Sequence, residues 1–287
     1  MIIVRLQGGL GNQMFQYALG RVLSLKNNTE LVFDTDFLNL YFYGAAKRNF
    51  ELDVFNIDIS LVNKNNIPIL FRTYNKITNR IFSFIIKIFK IKGKERGHCF
   101  NPGVMSAGSS VYLDGFWQSF KYFKGYEDVI KIDFTLKNEP GQNILDLAFE
   151  MKNINSLCVH LRRSDYVNNK NHDVVDMDYY VRGIEYIKNK SKIDKIYVFS
   201  DDIAWCKANL KFNIPTFFVG DDYVGDRNSG HLFLMSQCRN FVIANSTFSW
   251  WGAFLASNPE KIVVYPKVWA KDFLDTSDLI PDNWIKI

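Results

Sequence analysis

The chain has 287 residues, 47% of them hydrophobic and 16% aromatic, which excludes a disordered chain and is enough for two α/β lobes with separate cores. The formal net charge of +5 suits a phosphorylated ligand or an anionic membrane surface. Nucleic acid is not expected as a partner, because no recognition-module signature accompanies the charge. The four cysteines form no CxxC or zinc pattern, which indicates reduced thiols in a cytosolic protein.

The first residues do not have the order of a secretory signal, because Met1 leads directly into an apolar run without a charged start and a cleavage site. No run approaches the roughly 20 apolar residues that a membrane span needs. The sequence therefore predicts a cytoplasmic location.

The first half of the chain opens with the pattern of a βαβ unit. The expected elements are a strand at 2–6, a glycine turn at 8–11, a helix at 15–25, and strands at 31–33 and 111–113. Turn residues at 138–143 then precede a helix. We therefore expect a domain boundary near residue 150, with one α/β lobe over 1–150 and a second over 151–287.

The second half alternates strands with helices. Strands are expected at 157–161, 196–199, 216–219, 241–244 and 262–265, and helices at 178–190, 202–210, 230–238 and 249–257. Continuous apolar strands between helices are typical of a parallel sheet covered on both faces. The fold class expected is thus α/β, with a doubly wound nucleotide-binding lobe in the C-terminal half.

Polar side chains follow the first strand of that lobe, where open α/β sheets bind their ligands. Arg162 and Arg163 leave the strand together, and their forked donors suit a diphosphate. An ion pair between Arg163 and Asp165 is the structural alternative, and the residues themselves do not decide between the two.

Two further strand ends carry candidate ligands. Ser200, Asp201 and Asp202 follow one strand, and a carboxylate there matches the paired N–H donors of a guanine edge. Asn245, Ser246, Thr247 and Ser249 follow another and open a helix, where hydroxyl and N–H groups form an anion site. Ordinary helix capping explains both segments as well, so one of the two aspartates is expected to cap while the other binds the base.

The glycine turn at 8–11 lies where a dinucleotide-binding motif would begin, but its spacing is GxGxxM and not GxGxxG. Close approach of a ligand to the backbone is the better reason for these glycines. A nicotinamide-dependent oxidoreductase stays open as an alternative, since Asp34 lies near the distance expected for a ribose ligand. Asp34 and Asp36 also form the DxD pattern of metal-dependent glycosyltransferases, although loop capping explains them equally well.

Five segments spread over most of the chain contain these residues. They are GGLGNQMFQYA at 8–18, LDGFWQSFKYF at 113–123, HLRRSDY at 160–166, FSDDIAWC at 199–206 and LMSQCRNFVIANSTFSWWGAFLA at 234–256. Together and in this order, they resemble the α-1,2-fucosyltransferases of bacteria and animals. The resemblance implies a GT-B-type fold, with an acceptor lobe and a GDP-fucose lobe. Ser164 stands where that family often has glycine.

The resemblance also implies roles for individual residues. Arg162 would be the main diphosphate ligand with Arg163 in support, while His160 and one of Asp201 or Asp202 would contact guanine. Thr247 and Ser249 would donate to phosphate, and the turn containing Gly9, Gly11, Asn12 and Gln13 would close on the donor. Asp165 is the nearest candidate for a general base.

The reaction implied is transfer of L-fucose from GDP-β-L-fucose to the 2-hydroxyl of a terminal galactose, with inversion and without a metal. The expected acceptor is a β-galactoside, either free or lipid-linked, in the synthesis of a surface polysaccharide of the O-antigen type. A non-catalytic carbohydrate-binding protein is the second alternative, for which the surplus of aromatic residues is the argument.

The segment 77–94 is apolar with a basic ridge. At about 100° per residue, the residues that share one helical face are Arg80, Ser83, Lys87, Lys90 and Lys94. This pattern fits a core helix with one solvated edge, or a helix lying on the anionic inner face of the membrane, where it would bring the enzyme to a lipid-linked acceptor.

Overall fold

The structure is a computed structural model. It describes residues 1–39, 48–62, 99–164, 166–167, 169, 171–172, 174–271 and 275–287. The chain splits into two compact units, Met1–Phe134 and Thr135–Ile287. The boundary falls before the one expected near residue 150, because the helix Gln142–Asn153 packs on the helix Ser229–Gln237 of the second unit.

The first unit contains a parallel sheet and two α-helices among its described residues. The elements in chain order are β1 (Ile2–Arg5), α1 (Leu10–Asn27), β2 (Leu31–Asp34), β3 (Val111–Leu113) and α2 (Glu127–Asp133). The strand order is β2-β1-β3, with β1 paired in parallel to both neighbours. The three predicted strands and the helix are confirmed, and α1 begins earlier than expected, at Leu10. Short 3₁₀ turns lie at Asp36–Asn39, Leu52–Val54, Val104–Ser106 and Phe120–Tyr122.

Glycine permits the sharp entry into α1. Gly8 has φ of +76°, and a Cβ atom there would lie 2.3 Å from the side-chain amide of Asn12. Gly20, within α1, faces β1, and a Cβ atom there would lie 2.5 Å from a methyl group of Val4. These positions let the helix turn back and pack tightly against the strand.

The second unit contains a six-stranded parallel sheet with helices between the strands. Its strands are β4 (Ser156–Leu161), β5 (Lys195–Ser200), β6 (Thr216–Phe218), β7 (Asn240–Val242), β8 (Val263–Tyr265) and β9 (Ile285–Lys286). Its helices are α3 (Gln142–Asn153), α4 (Met177–Lys188), α5 (Ile203–Asn209), α6 (Ser229–Gln237) and α7 (Thr247–Leu255). Short 3₁₀ turns lie at Asp221–Tyr223 and Asp226–Asn228. The predicted alternation of strands and helices is confirmed.

Burial explains why this sheet forms. All six residues of β4 are buried, as expected for a central strand covered on both faces. The hydroxyl of Tyr179 lies within hydrogen-bonding distance of the main-chain oxygens of Ile243, at 2.7 Å, and Val264, at 3.1 Å, which links α4 to the sheet. Trp250 and Trp251 of α7 are fully buried and pack edge to face. They belong to the core.

The segment 77–94, for which the sequence predicts either a core helix or a helix on the membrane surface, lies outside the described residues. Among the helices that the structure does describe, none combines the length and the apolar composition needed to cross a bilayer.

Candidate nucleotide-binding site

The strand order of the second sheet selects one place for a ligand. The order β6-β5-β4-β7-β8-β9 is that of a doubly wound dinucleotide-binding sheet, in which all strands are parallel and the order of successive strands reverses between β4 and β7. Ligands bind outside the carboxyl ends of the strands at this reversal point. His160 lies at the carboxyl end of β4, Arg162 and Arg163 follow that strand, and Asn245 and Ser246 follow β7. The structure thus places these residues, which the sequence singled out as candidate ligands, at the carboxyl edge of the sheet.

Asp201 holds the turn that carries the two arginines. Its carboxylate accepts hydrogen bonds from the main-chain N–H groups of Arg163, at 2.8 Å, and Ser164, at 3.1 Å. The Nε of Arg162 lies 3.2 Å from Oδ2 of the same carboxylate. The Ser164 hydroxyl donates to the Asp201 main-chain oxygen at 3.1 Å. Asp201, one of the two aspartates considered as a guanine contact, thus shapes the arginine turn.

Asp202 caps α5. Its Oδ1 accepts from the main-chain N–H of Trp205 at 3.2 Å, while its Oδ2 lies 3.4 Å from Nε of Arg163. The Ser200 hydroxyl oxygen accepts from the N–H of Asp202 at 3.0 Å. The capping interpretation is therefore confirmed for Asp202, whose side chain is also the more exposed of the two aspartates, at 39% against 19%.

His160 is a buried, neutral ring at the end of β4. Burial, and then the positive charge of Arg162, lowers its pKa to about 3, so the ring is uncharged near neutral pH. Its ring centroid lies 6.1 Å from that of Phe248, in the first turn of α7. Among the described residues, no group hydrogen-bonds the buried Nδ1 atom of His160. A buried polar atom of this kind marks a place where a ligand group can bind.

Asn245 fastens two loops to the end of β7. Its side-chain amide donates to the main-chain oxygens of His172, at 3.0 Å, and Trp269, at 2.7 Å. Its own main-chain oxygen accepts from the hydroxyl of Tyr166 at 3.1 Å. Because both amide hydrogens are used in this way, the Asn245 side chain shapes the rim of the site.

The start of α7 presents main-chain donors. Ser246 is the N-cap residue, and within the described residues its side chain accepts no capping hydrogen bond. The hydroxyl of Ser249 is fully buried and bonds to the main-chain oxygens of Ala244 and Ser246. Ser249 can therefore offer an anion only its main-chain N–H, and Thr247, at the first helical position, is half-buried.

The glycine turn belongs to the first unit and is held by amide side chains. Gln13 is fully buried, donates to the main-chain oxygens of Gly8 and Asn49 and accepts from the N–H of Glu51. The Gln13 side chain therefore fixes the conformation of this turn. Asn12 is half-buried, and its Oδ1 accepts from Gln118 at 2.9 Å, which links the turn to the segment after β3.

Gly9 and Gly11 of the turn differ in exposure. Gly9 caps α1 and is half-buried, while Gly11 is buried inside the helix. A ligand could therefore approach the backbone at Gly9 but not at Gly11, which packs inside the helix.

The DxD pattern serves the loop after β2. Oδ1 of Asp34 accepts from the N–H of Asp36 at 3.0 Å, and its Oδ2 accepts from the hydroxyl of Tyr112 at 2.6 Å. Loop capping therefore accounts for Asp34. In the part of the chain that the structure describes, no three His, Cys, Asp or Glu side chains gather as metal ligands would. Asp165, the candidate base, lies outside the described residues.

Two aromatic residues of the site were not singled out in the sequence. The guanidinium carbon of Arg163 lies 3.4 Å from the ring centroid of Trp205, and that of Arg162 lies 5.7 Å from the ring of Tyr166. Both rings occur within the motifs, four residues after the arginine in the case of Tyr166. An aromatic residue four positions after an arginine is a signal that could have pointed to stacking of Tyr166, whereas Trp205 lies in a different motif and gives no such local signal.

Comparison with known proteins agrees with this architecture. The model of glycosyl transferase family 11 matches residues 1–287, and the chain belongs to that family. An Escherichia coli O-antigen biosynthesis glycosyltransferase, WbnK, is 33% identical over 98% of this chain and 99% of its own length. An Escherichia coli alpha-1,2-colitosyltransferase is 33% identical over 100% of this chain and 99% of its own. A Caenorhabditis elegans galactoside 2-alpha-L-fucosyltransferase is 25% identical over 100% of this chain and 79% of its own.

Solved structures share the fold. The fucosyltransferase NodZ from Bradyrhizobium superposes with a TM-score of 0.56 at 15% identity, covering 92% of this chain and 94% of that one. A mutant of Arabidopsis thaliana FUT1 in complex with GDP gives a TM-score of 0.52 at 12% identity, covering 92% of this chain and 70% of that one. The expected GT-B-type α/β class is confirmed. Membership of a glycosyltransferase family removes the support for an oxidoreductase and for a non-catalytic sugar-binding protein.

Proposed function

We propose that this glycosyltransferase moves L-fucose from GDP-β-L-fucose to the 2-hydroxyl of a terminal galactose, with inversion and without a metal ion. The observation that carries the proposal is the arginine turn at the reversal point of the second sheet, opposite the start of α7. Two relatives of this chain support the choice of reaction, since one is named for O-antigen synthesis and another for galactoside 2-fucosylation.

The second unit, from residue 135 onward, would hold the donor. Arg162 and Arg163 would bind the diphosphate, with main-chain donors at Thr247 and Ser249 completing the anion site. The buried Nδ1 of His160 would meet the guanine base. Departure of GDP places new negative charge on the diphosphate, and fixed cationic and N–H donors stabilise that charge without reorganising.

The first unit, residues 1–134, would bind the acceptor galactoside, and its Gly9 and Asn12 would approach the donor. Asp165 would accept the proton of the attacking hydroxyl as it bonds to C1 of fucose. The acceptor would be part of a surface polysaccharide, free or lipid-linked, and the segment 77–94 would bring the enzyme to the inner face of the membrane.

Colitose is the second candidate for the transferred sugar, because a full-length relative that is 33% identical is named as a colitosyltransferase. A competition between GDP-fucose and nucleotide-activated colitose, with a panel of β-galactosides and the product linkage read by NMR, tests both. Preferential formation of an α-1,2-fucosyl product supports the proposal. Preference for colitose would make activated colitose, and not GDP-fucose, the donor. A different linkage would overturn the assignment of the galactose 2-hydroxyl as acceptor.

A further inference from the structure

The Arg163 side chain is held by contacts on one face and along one edge. Its guanidinium carbon lies 3.4 Å from the ring centroid of Trp205, well inside the roughly 6 Å range of cation–π contacts. Its Nε lies 3.4 Å from Oδ2 of Asp202, and its main-chain N–H donates to Asp201. The side chain is 23% exposed. The group is thus fixed on one face and along one edge, and still reaches solvent.

Trp205, on which Arg163 stacks, is itself held by packing and by a hydrogen bond. Trp205 lies in the first turn of α5 and packs against the apolar core beneath the sheet. Its main-chain N–H donates to Oδ1 of Asp202, the same carboxylate whose Oδ2 faces Arg163. The Asp202 carboxylate therefore contacts both the main chain of Trp205 and the guanidinium edge of Arg163.

From this geometry we infer that Trp205 is a positioning residue, which orients the Arg163 guanidinium for a nucleoside diphosphate. The inference rests on the proposed donor-binding role of the arginine turn. The Trp205 ring covers one face of the guanidinium and Asp202 occupies its Nε edge. Within the described residues, neither Nη group of Arg163 donates a hydrogen bond. These two groups form the fork that matches phosphate oxygens.

Preorganisation of this kind acts on binding. A free arginine loses side-chain entropy when it closes on a ligand, whereas a stacked arginine has already lost it on folding. Removing the indole should therefore weaken GDP binding by about 3- to 10-fold, the cost of immobilising one long side chain. The Michaelis constant for the donor should rise by a similar factor, and kcat should change less.

A purely structural stack would stabilise α5 without affecting the ligand, and a double-mutant cycle separates the two roles. GDP affinity is measured by calorimetry for wild type, Trp205→Leu, Arg163→Met and the double variant. If Trp205 acts through Arg163, Trp205→Leu should weaken binding on its own and have little further effect beside Arg163→Met. Trp205→Phe keeps an aromatic face and should stay within about 2-fold of wild type.

Ile203→Ala is the matched control, because Ile203 lies on the same helix and packs against the same core. It should lower thermal stability and leave GDP affinity unchanged. If Trp205→Leu does not fold, Trp205→Met takes its place, since methionine fills more of the volume without a ring.

Two results would overturn the inference: unchanged GDP affinity in folded Trp205→Leu or Trp205→Met, or losses that simply add in the double variant. Failure of the proposed function looks different, because wild-type protein would then bind no GDP or transfer no fucose.

Discussion

Arg162 and Asp201 form an ion pair in which Nε of the arginine lies 3.2 Å from Oδ2 of the aspartate. The pair joins the end of β4 to the end of β5, so its geometry depends on the register of the two central strands. Since Asp201 also accepts from the N–H groups of Arg163 and Ser164, one carboxylate fixes the conformation of the whole arginine turn.

Asp201→Asn should lower kcat/KM for the donor by about 10- to 100-fold, the size of one lost hydrogen bond to a charged group. The amide keeps the shape of the side chain but cannot receive all three donors. Steady-state kinetics with circular dichroism as a check on folding would measure this. Asp202→Asn is the comparison for folding. Because asparagine caps a helix as well as aspartate does, this variant should leave α5 stable. An Asp201→Asn enzyme with wild-type kinetics would show that the turn does not need the carboxylate.

Arg162→Lys should retain the fold and lose most of the activity, by about 10-fold or more, because an ammonium group cannot reproduce a planar fork on a diphosphate. Lysine also cannot keep the lateral contact with Asp201 while reaching a phosphate. Transfer of labelled fucose and the thermal melting temperature should be measured together. Near-normal turnover in a folded variant would remove Arg162 from the site.

Sequence periodicity was sufficient to predict the strands of the second sheet, but not to predict which role each polar residue has at its edge. The run 157–161 is apolar throughout, and such a run has few alternatives to a buried parallel strand. Asp201 and Asp202 could not be separated, because a carboxylate after a strand serves equally as a cap or as a ligand. The difference is set by the register of β4 against β5, which brings Asp201 beneath the arginine turn and is a tertiary property.

Direction of the side chain is the second property that the sequence did not provide. Gln13 and Ser249 occupy motif positions that indicate ligand binding, yet both are fully buried and bond to main-chain atoms. Polar residues near a helix start can point inward to satisfy turns, and the residue type is the same in both cases. The short elements α2 and β9 were missed because seven and two residues give too little periodicity.

Chelation should leave transfer activity in place, because arginine and helix-terminus donors stabilise the leaving diphosphate electrostatically. Initial rates are compared after dialysis against EDTA and after addition of Mn²⁺ or Mg²⁺. Loss of activity in EDTA that either metal restores would contradict this. It would return attention to Asp34 and Asp36, whose loop contacts would then have to open for a metal.

Wild-type protein should sediment with anionic liposomes at low salt and be released as salt rises, if the basic ridge in 77–94 contacts the membrane. Each basic residue near such a surface contributes about 1 kcal/mol. Charge reversal by Lys87→Glu with Lys90→Glu should reduce the bound fraction, and neutral liposomes provide the control. Protein that ignores anionic liposomes at low salt would identify the ridge as the solvated edge of a core helix.

Stability should fall with acid partly through His160. Its pKa is lowered from 6.5 to about 3 in the folded protein, by burial and by the charge of Arg162. Below pH 6.5 the unfolded chain therefore binds a proton at His160 that the folded chain does not bind. The contribution of neutral His160 to stability is lost as the pH falls toward 3. For one such histidine the free energy of unfolding drops by about 1.4 kcal/mol per pH unit once the unfolded form is fully protonated.

Replacement of the ring isolates this contribution. His160→Gln should show a smaller decrease in the free energy of unfolding between about pH 7.5 and pH 5, measured by urea denaturation, whatever its stability at neutral pH. Some decrease should remain, because burial also lowers the pKa of His231 and that residue is unchanged. The comparison is between slopes, so a general loss of stability in the variant does not imitate the effect. An identical slope in both proteins would mean that His160 binds a proton equally well in the folded and unfolded states, which its burial and the charge of Arg162 oppose.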